Sequence, residues 1–211
     1  MMKYLIADDH PLYREALKGA LQNEFPKVSY LESDSFDSTL KTLRTQRNVS
    51  LLLLDLFMPG CDNFYGLLRL RQLFPDLPIV VISAADSIDV ISQVMEFGAN
   101  AFVPKTSPTS DMTLAIESVL NKQNWLPEGV SEQLANVEVE AVEIAQKVRE
   151  LTPKQFQVLL LVKQGMMNKQ IADTLSVTEA TVKAHISMLF KRLNVKSRTQ
   201  ILVALENLQL E

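Results

Sequence analysis

Residues 51–60 read Leu51-Leu52-Leu53-Leu54-Asp55-Leu56-Phe57-Met58-Pro59-Gly60, and they constrain the fold more than any other stretch. A continuous apolar run closed by proline and glycine reads as a strand buried on both faces of a parallel sheet. Chain polarity then sets Asp55 at the carboxyl edge of that strand, where open α/β sheets bind their ligands. A lone acid there could as well cap the next turn. The rest of the chain has to decide between the two.

The segments around this run alternate between strand and helix patterns. Residues 3–7 read as a strand that delivers Asp8 and Asp9 to its end. Pro11 then opens an amphipathic helix to about residue 23, with Leu12, Ala16, Leu17, Ala20 and Leu21 on one face. Residues 28–31 are a second strand and 36–43 a second helix. A helix over 66–73 follows the Asp55 loop, and Pro75 and Pro78 bracket the return to a strand over 79–82 that ends at Ser83. A helix over 88–97 stops at Gly98, a fifth strand over 101–103 ends in Pro104-Lys105, and a fifth helix spans 107–120. Five such units specify an α/β fold: a flavodoxin-like, doubly wound, five-stranded parallel sheet over residues 1–122.

Right-handed crossovers bring all five strand ends to one edge. Asp8, Asp9, Asp55, Ser83 and Lys105 therefore meet there, a set that turn capping explains poorly. Crowded carboxylates repel one another unless a cation offsets them. A hard divalent ion such as Mg²⁺ takes oxygen ligands and suits the site. With Lys105 and the Ser83 hydroxyl it would hold a tetrahedral phosphoryl group, and Asp55 is the natural nucleophile, forming an acyl phosphate. His10, beside Asp9, reads as a helix-start residue, since the chain has only two histidines and one makes a poor transition-metal site.

Asp8-Asp9, Asp55 with Met58-Pro59-Gly60, Ser83-Ala84 and Phe102-Val103-Pro104-Lys105 together resemble the receiver domain of two-component response regulators. The resemblance implies that Asp9, Asp55 and the backbone carbonyl of Phe57 ligate Mg²⁺, with Asp8 acting through water. It implies that Ser83 and Lys105 hold the phosphoryl oxygens and that Phe102 swings inward on activation. Two positions depart from the family pattern: Asn63 stands where glycine is usual, and Phe102 lacks the hydroxyl of the common tyrosine.

Residues 123–148 carry one basic and five acidic side chains, and read as an acidic, partly helical linker in which Trp125 packs on the first domain. Residues 149–211 are basic by contrast, with nine basic and five acidic side chains, and all their patterns are helical. Thr152-Pro153-Lys154-Gln155 gives an N-cap, a first-position proline and a capping-box glutamine. A helix to Gly165 is followed by a short helix over 169–175, a turn at Ser176-Val177-Thr178, and a helix over 179–193 with Val182, Ile186, Leu189 and Leu193 on one stripe. A last helix, capped by Ser197, carries Ile201, Leu202, Ala204, Leu205 and Leu208. This is a small all-α, four-helix domain with the helix-turn-helix arrangement, its second helix shaped for the major groove.

Between Thr181 and Arg198 there are five basic residues and no acid. Thr181, Lys183, Ala184 and Ser187 lie off the apolar stripe and can face DNA. Leu151-Thr152, Gly165, Asn168-Lys169, Ile171-Ala172, Leu175, Thr181-Val182-Lys183, His185, Leu193 and Ser197-Arg198 are similar to the LuxR-type helix-turn-helix. By that resemblance Lys183 and Ala184 meet base edges, while Lys169, His185, Lys191, Arg192, Lys196, Ser197 and Arg198 hold phosphates, which position without specifying. Gln155 replaces the usual glutamate, Ser187 stands where some members carry a basic reader, and His185 at this spacing could instead pack between helices.

Joined, the halves resemble a NarL/FixJ-type response regulator. That implies a phosphorylation-switched transcription factor, a sensor histidine kinase as phosphodonor, a two-fold double-stranded DNA site and a homodimer when active. The stripe Ile201, Leu205 and Leu208 is a candidate dimer contact or, alternatively, core. No turnover on an external substrate is expected: a haloacid-dehalogenase-type hydrolase needs a second Asp two residues after the nucleophile, where this chain has Phe57. A regulator that uses its receiver only as a protein-docking module is the alternative. The apolar and charged fractions, 47% and 22%, are ordinary for a soluble protein. The early acids argue against a signal peptide, no run reaches the ~20 residues of a membrane span, and the single cysteine allows no internal disulfide. A cytoplasmic protein without membrane contact is expected.

Overall fold

The computed structural model of the chain describes residues 2–61, 64–134 and 139–205. It divides into two compact units, residues 1–137 and 138–211.

The first unit alternates β1 (Lys3–Ala7), α1 (Pro11–Glu24), β2 (Ser29–Ser33), α2 (Phe36–Thr45), β3 (Val49–Leu54), α3 (Phe64–Leu73), β4 (Ile79–Ser83), α4 (Ile88–Glu96), β5 (Ala101–Pro104) and α5 (Thr109–Leu120), ending in α6 (Val130–Leu134). The strands are all parallel in the order β2-β1-β3-β4-β5, the flavodoxin-like doubly wound arrangement. Each expected strand and helix is present, with ends shifted by no more than two residues. Leu51 to Leu54 are wholly buried, as a central strand covered on both faces requires.

Successive residues serve opposite faces. Leu51, Leu53, Val80, Ile82, Ala101 and Val103 join Leu17, Leu21, Ile116 and Val119 of α1 and α5 in one core layer. Leu52, Leu54, Val81 and Phe102 point to the other face, where α2 and α4 lie against the sheet. The inward stripe of α1 differs from the expected one. Leu12 and Ala16 face solvent, and Tyr13, Leu17 and Leu21, at i, i+4 and i+8, form the face laid on the sheet. A stripe of leucine and alanine is the more apolar of the two, yet the tyrosine ring covers more area.

The segment read as a linker is shared between the units. Trp125 adds a one-residue bridge to the open edge of β5: its N–H donates to the Asn100 carbonyl (3.0 Å), and its carbonyl accepts from the Phe102 N–H (3.3 Å). The ring packs on the α1/α5 core layer, as expected of it. The later part forms α7 (Val139–Arg149), which packs on α10 in the second unit.

The second unit continues with α8 (Pro153–Lys163), α9 (Asn168–Leu175), α10 (Glu179–Leu193) and α11 (Arg198–Ala204). The expected capping box starts α8: Thr152 Oγ1 accepts from Gln155 N–H at 3.3 Å, and Gln155 Oε1 accepts from Thr152 N–H at 3.0 Å. Glutamine thus performs the capping that glutamate would. Ser176 and Asn194 end α9 and α10 in the left-handed conformation. Ile201 and Leu205 are fully buried in this unit's core and offer nothing to a second copy; Leu208 lies outside the described residues. The exposed apolar residues of α11 are Leu202 and Val203.

Cys61 is fully buried, and the Cβ of any side chain at Gly66 would lie 2.2 Å from its Sγ and 2.9 Å from its carbonyl oxygen. Gly66→Ala should therefore cost about 1–3 kcal/mol through overpacking, with partial recovery in Cys61→Ala/Gly66→Ala because the backbone clash persists. Urea denaturation of the single and double variants checks this; an unchanged midpoint in Gly66→Ala would show that the loop yields freely.

Candidate functional site

The sheet's hydrogen-bond ladder runs one residue past β1, β3 and β5, and that is what fixes the pocket. Asp8 N–H donates to the Ser33 carbonyl (3.1 Å), Asp55 N–H to the Ala7 carbonyl (2.8 Å) and Lys105 N–H to the Ser83 carbonyl (2.8 Å). The functional side chains therefore start from backbone as rigid as the strands themselves. Asp8 and Asp55 are each only 2% exposed, although carboxylates are almost never buried without partners.

The partner is Lys105. Its Nζ donates to Asp55 Oδ2 at 2.8 Å and lies 2.7 Å from Asp8 Oδ2, the latter at an angle poor for a hydrogen bond. Burial of the ammonium works against its charge, but the hydrogen bond to Asp55 and the close pairing with Asp55 and Asp8 outweigh it, and Lys105 holds its proton above the ordinary value of 10.5. Asp55 Oδ1 accepts from the Phe57 N–H at 3.2 Å, so the loop carrying the Phe57 carbonyl curls over the acid. Asp9 is less buried and lies beside His10, whose Nδ1 is 2.8 Å from Asp9 Oδ1 and 3.1 Å from Asp8 Oδ1. His10 is also the N-cap of α1, as its position suggested.

Oxygens of Asp8, Asp9 and Asp55 and a ring nitrogen of His10 all fall within 4.8 Å of one another. Asp8 Oδ2 and Asp9 Oδ1 are buried and accept no well-directed hydrogen bond from the described residues. Unsatisfied hard oxygens gathered at this spacing fit a divalent cation with oxygen preference, such as Mg²⁺.

Ser83 is fully buried at the end of β4, with its Oγ accepting from the Ala85 N–H at 3.1 Å. Phe102 is fully buried on the same sheet face as Ser83, its ring inward in this structure. Asn63 lies outside the described residues.

Two residues at the pocket went unread in the sequence. Tyr13 lies under Lys105, with Nζ 4.8 Å from the ring centroid. Its hydroxyl is pushed up to about 12, chiefly by burial; Lys105 opposes this, while Asp8 and Asp55 add to it. Arg14 donates from Nη1 to the Asp8 carbonyl and sits 3.6 Å from Glu32. Both stand in the first turn after Pro11, four and five residues past Asp9. That spacing could have revealed them, had Tyr13 been weighed as an inward residue.

In the second unit the buried stripe of α10 is Val182, Ile186, Leu189 and Leu193, as expected. The opposite face is solvent-exposed and presents Ala184, Ser187, Met188 and Lys191, with Thr181 and Lys183 at its flanks. Lys169, Lys196 and Ser197 are exposed as well, and Ser197 caps α11 by accepting from the Gln200 N–H at 3.2 Å. Arg192 pairs with Glu150 at 3.2 Å, and His185 is half-buried. Arg198 departs from the phosphate-holding expectation: its Nη2 donates to the carbonyls of Val162 and Met166, at the C-terminal end of α8.

A receiver-like acidic pocket and a helix-turn-helix on one chain define a signal-switched DNA-binding regulator. Residues 4–117 match the response regulator receiver domain, and residues 149–205 match the bacterial regulatory proteins of the luxR family. The glycerol metabolism activator of Pseudomonas putida is 39% identical over 97% of this chain and 95% of its own. The nitrate/nitrite response regulator NarL of Escherichia coli K12 is 30% identical over 94% and 92%. Among solved structures, Salmonella typhimurium RcsB superposes with a TM-score of 0.60 over 97% of this chain and 98% of its own, at 22% identity, a likeness of fold. The chain belongs to the NarL/FixJ-type two-component response regulators, which are transcription factors switched by phosphorylation. No helix among the described residues is long and apolar enough to cross a membrane.

The raised proton affinity of Lys105 stabilises the fold fully below its unfolded value of 10.5, and this contribution is lost as pH rises through the folded value. Tyr13 acts in the same direction, because the unfolded phenol ionises near 10 and the folded one only near 12. Stability should therefore fall steeply above about pH 10. Lys105→Met should start lower, with two carboxylates left facing each other, and decline less steeply there. Thermal melts from pH 7 to 11 check this; parallel curves for the two proteins would refute it.

Proposed function

We propose that Asp55 is the phosphoryl acceptor and that Lys105 is the counter-charge shared between acceptor and metal site. The carrying observation is the single ammonium within 2.8 Å of both Asp8 and Asp55. An Asp55 oxygen attacks phosphorus of the donor, the bond to the donor's leaving atom breaks, and that atom departs with the electron pair. The result is an acyl phosphate on the protein itself, with no turnover on an external substrate. Asp9, Asp55 and the Phe57 carbonyl would hold Mg²⁺, with Asp8 acting through water. When bound, the ion supplies positive charge to the equatorial oxygens. Lys105 transfers its hydrogen bond from Asp55 to a phosphoryl oxygen, and the Ser83 hydroxyl, whose oxygen accepts from the Ala85 N–H, donates its proton to another. The phosphodonor is a sensor histidine kinase.

In the DNA-binding half, α10 enters the major groove. Lys183 and Ala184 meet base edges, with Thr181 and Ser187 beside them, and Lys169, His185, Lys191, Arg192, Lys196 and Ser197 hold phosphates. Arg198 is assigned to tying α11 to the end of α8. The active form is a homodimer on a two-fold DNA site.

Incubation with acetyl phosphate and Mg²⁺ should add one phosphoryl mass to the full chain and none to Asp55→Asn. Equal gain in both would remove Asp55 from this role. On a duplex selected from random sequence by the wild-type protein, Lys183→Ala should lose about 1–3 kcal/mol and relax base preference. Lys196→Ala should weaken all duplexes alike and lower the salt slope by about one. Salt titrations in which the two variants behave identically would reject this division.

A further inference from the structure

We infer that Tyr13 is a positioning residue for phosphoryl transfer, acting through the Lys105 ammonium that lies over its ring. The inference rests on the reading of Asp55 as acceptor.

An ammonium has three N–H donors. Two sides of the Lys105 ammonium face Asp55 and Asp8, at 2.8 and 2.7 Å, and Tyr13 lies 4.8 Å from Nζ, within range of a cation–π contact. Lys105 is only 16% exposed at its side chain, so the contact is little weakened by solvent. Tyr13 is held in turn by α1, where it heads the stripe continued by Leu17 and Leu21 on the α1/α5 core layer. The ring is a fixed wall under a mobile charge.

That wall matters at one moment. As Asp55 becomes an acyl phosphate, its hydrogen bond from Lys105 must move to a phosphoryl oxygen, and Asp8 competes for the ammonium. A partner that attracts Nζ by its face, with no directional bond to break, lets the ammonium move while keeping it at the pocket rim. A branched aliphatic residue would fill the space and offer no such attraction. The attraction comes from the ring and not from the hydroxyl, so phenylalanine should serve as well as tyrosine.

The test compares the full-length wild type, Tyr13→Phe and Tyr13→Leu. Beryllofluoride affinity with Mg²⁺ and the rate of mass gain from acetyl phosphate are measured, with a thermal melt of each. Tyr13→Leu should bind beryllofluoride about threefold to tenfold more weakly and gain mass correspondingly slowly, and Tyr13→Phe should match the wild type within about twofold. A purely structural role would lower the melting temperature of Tyr13→Leu and leave affinity and rate unchanged, which overturns the inference. So does a Tyr13→Phe protein as impaired as Tyr13→Leu. If Tyr13→Leu fails to fold, Tyr13→Met takes its place with the same outcomes required. Failure of the wild type to gain mass would instead sink the acceptor reading on which this stands.

Discussion

Two carboxylates buried at adjacent strand ends, sharing one ammonium, set the terms for the first unit. Unit charges 4 Å apart interact by about 4 kcal/mol at the effective dielectric of a partly buried site. Asp8 and Asp55 would push the β1 and β3 loops apart if Lys105 did not stand between them. The balance is nonetheless incomplete. One positive charge faces two buried acids with Asp9 at their side, and two of the oxygens have no well-directed donor. A site left short of positive charge by its own residues is one whose charge state an arriving cation and phosphoryl group can change. The pairing that stabilises the pocket and the deficit that lets it be switched thus reside in the same few residues.

The scaffold keeps that deficit from collapsing. Asp8, Asp55 and Lys105 each extend the sheet ladder by one backbone bond, to Ser33, Ala7 and Ser83 respectively. The carboxylates cannot retreat into solvent without breaking ladder bonds beside strands whose leucines are wholly buried. Extra charge must therefore be met by moving side chains and loops, and the nearest ones are Lys105, Ser83 and the Phe57 turn.

The fold was legible because its signals were redundant. The leucine run before Asp55, the paired acids after residues 3–7 and the proline and glycine brackets each pointed to the same parallel sheet, and the five edge residues followed from topology alone. What stayed hidden was rotational. Apolar count placed Leu12 and Ala16 on the inward face of α1, whereas the helix turns Tyr13 inward, so the ring beneath Lys105 was missed. The last helix behaved likewise, since sequence could not decide whether Ile201 and Leu205 faced out or in. Both stripes have amphipathic neighbours on either side, and only packing against a defined layer selects the phase. Arg198 shows a further gap: a cation in a basic run looks like a phosphate ligand until the carbonyls at the end of α8 are seen within its reach.

Phe102 joins the pocket to the segment that begins at Trp125. Its ring shares the Ser83 face of the sheet, and its N–H is bonded to the carbonyl of Trp125 at the open edge. The ring is fully buried in this structure. In β5, Phe102 is paired with Val81 on one side and its neighbour Ala101 is bridged to Trp125 on the other. Trp125 is anchored by its ring in the α1/α5 layer and begins the segment that leads to the helical unit. A shift of β5 would thus strain the bridge that, among the described residues, ties that segment to the sheet. That bridge belongs to the main chain and does not depend on a hydroxyl at position 102.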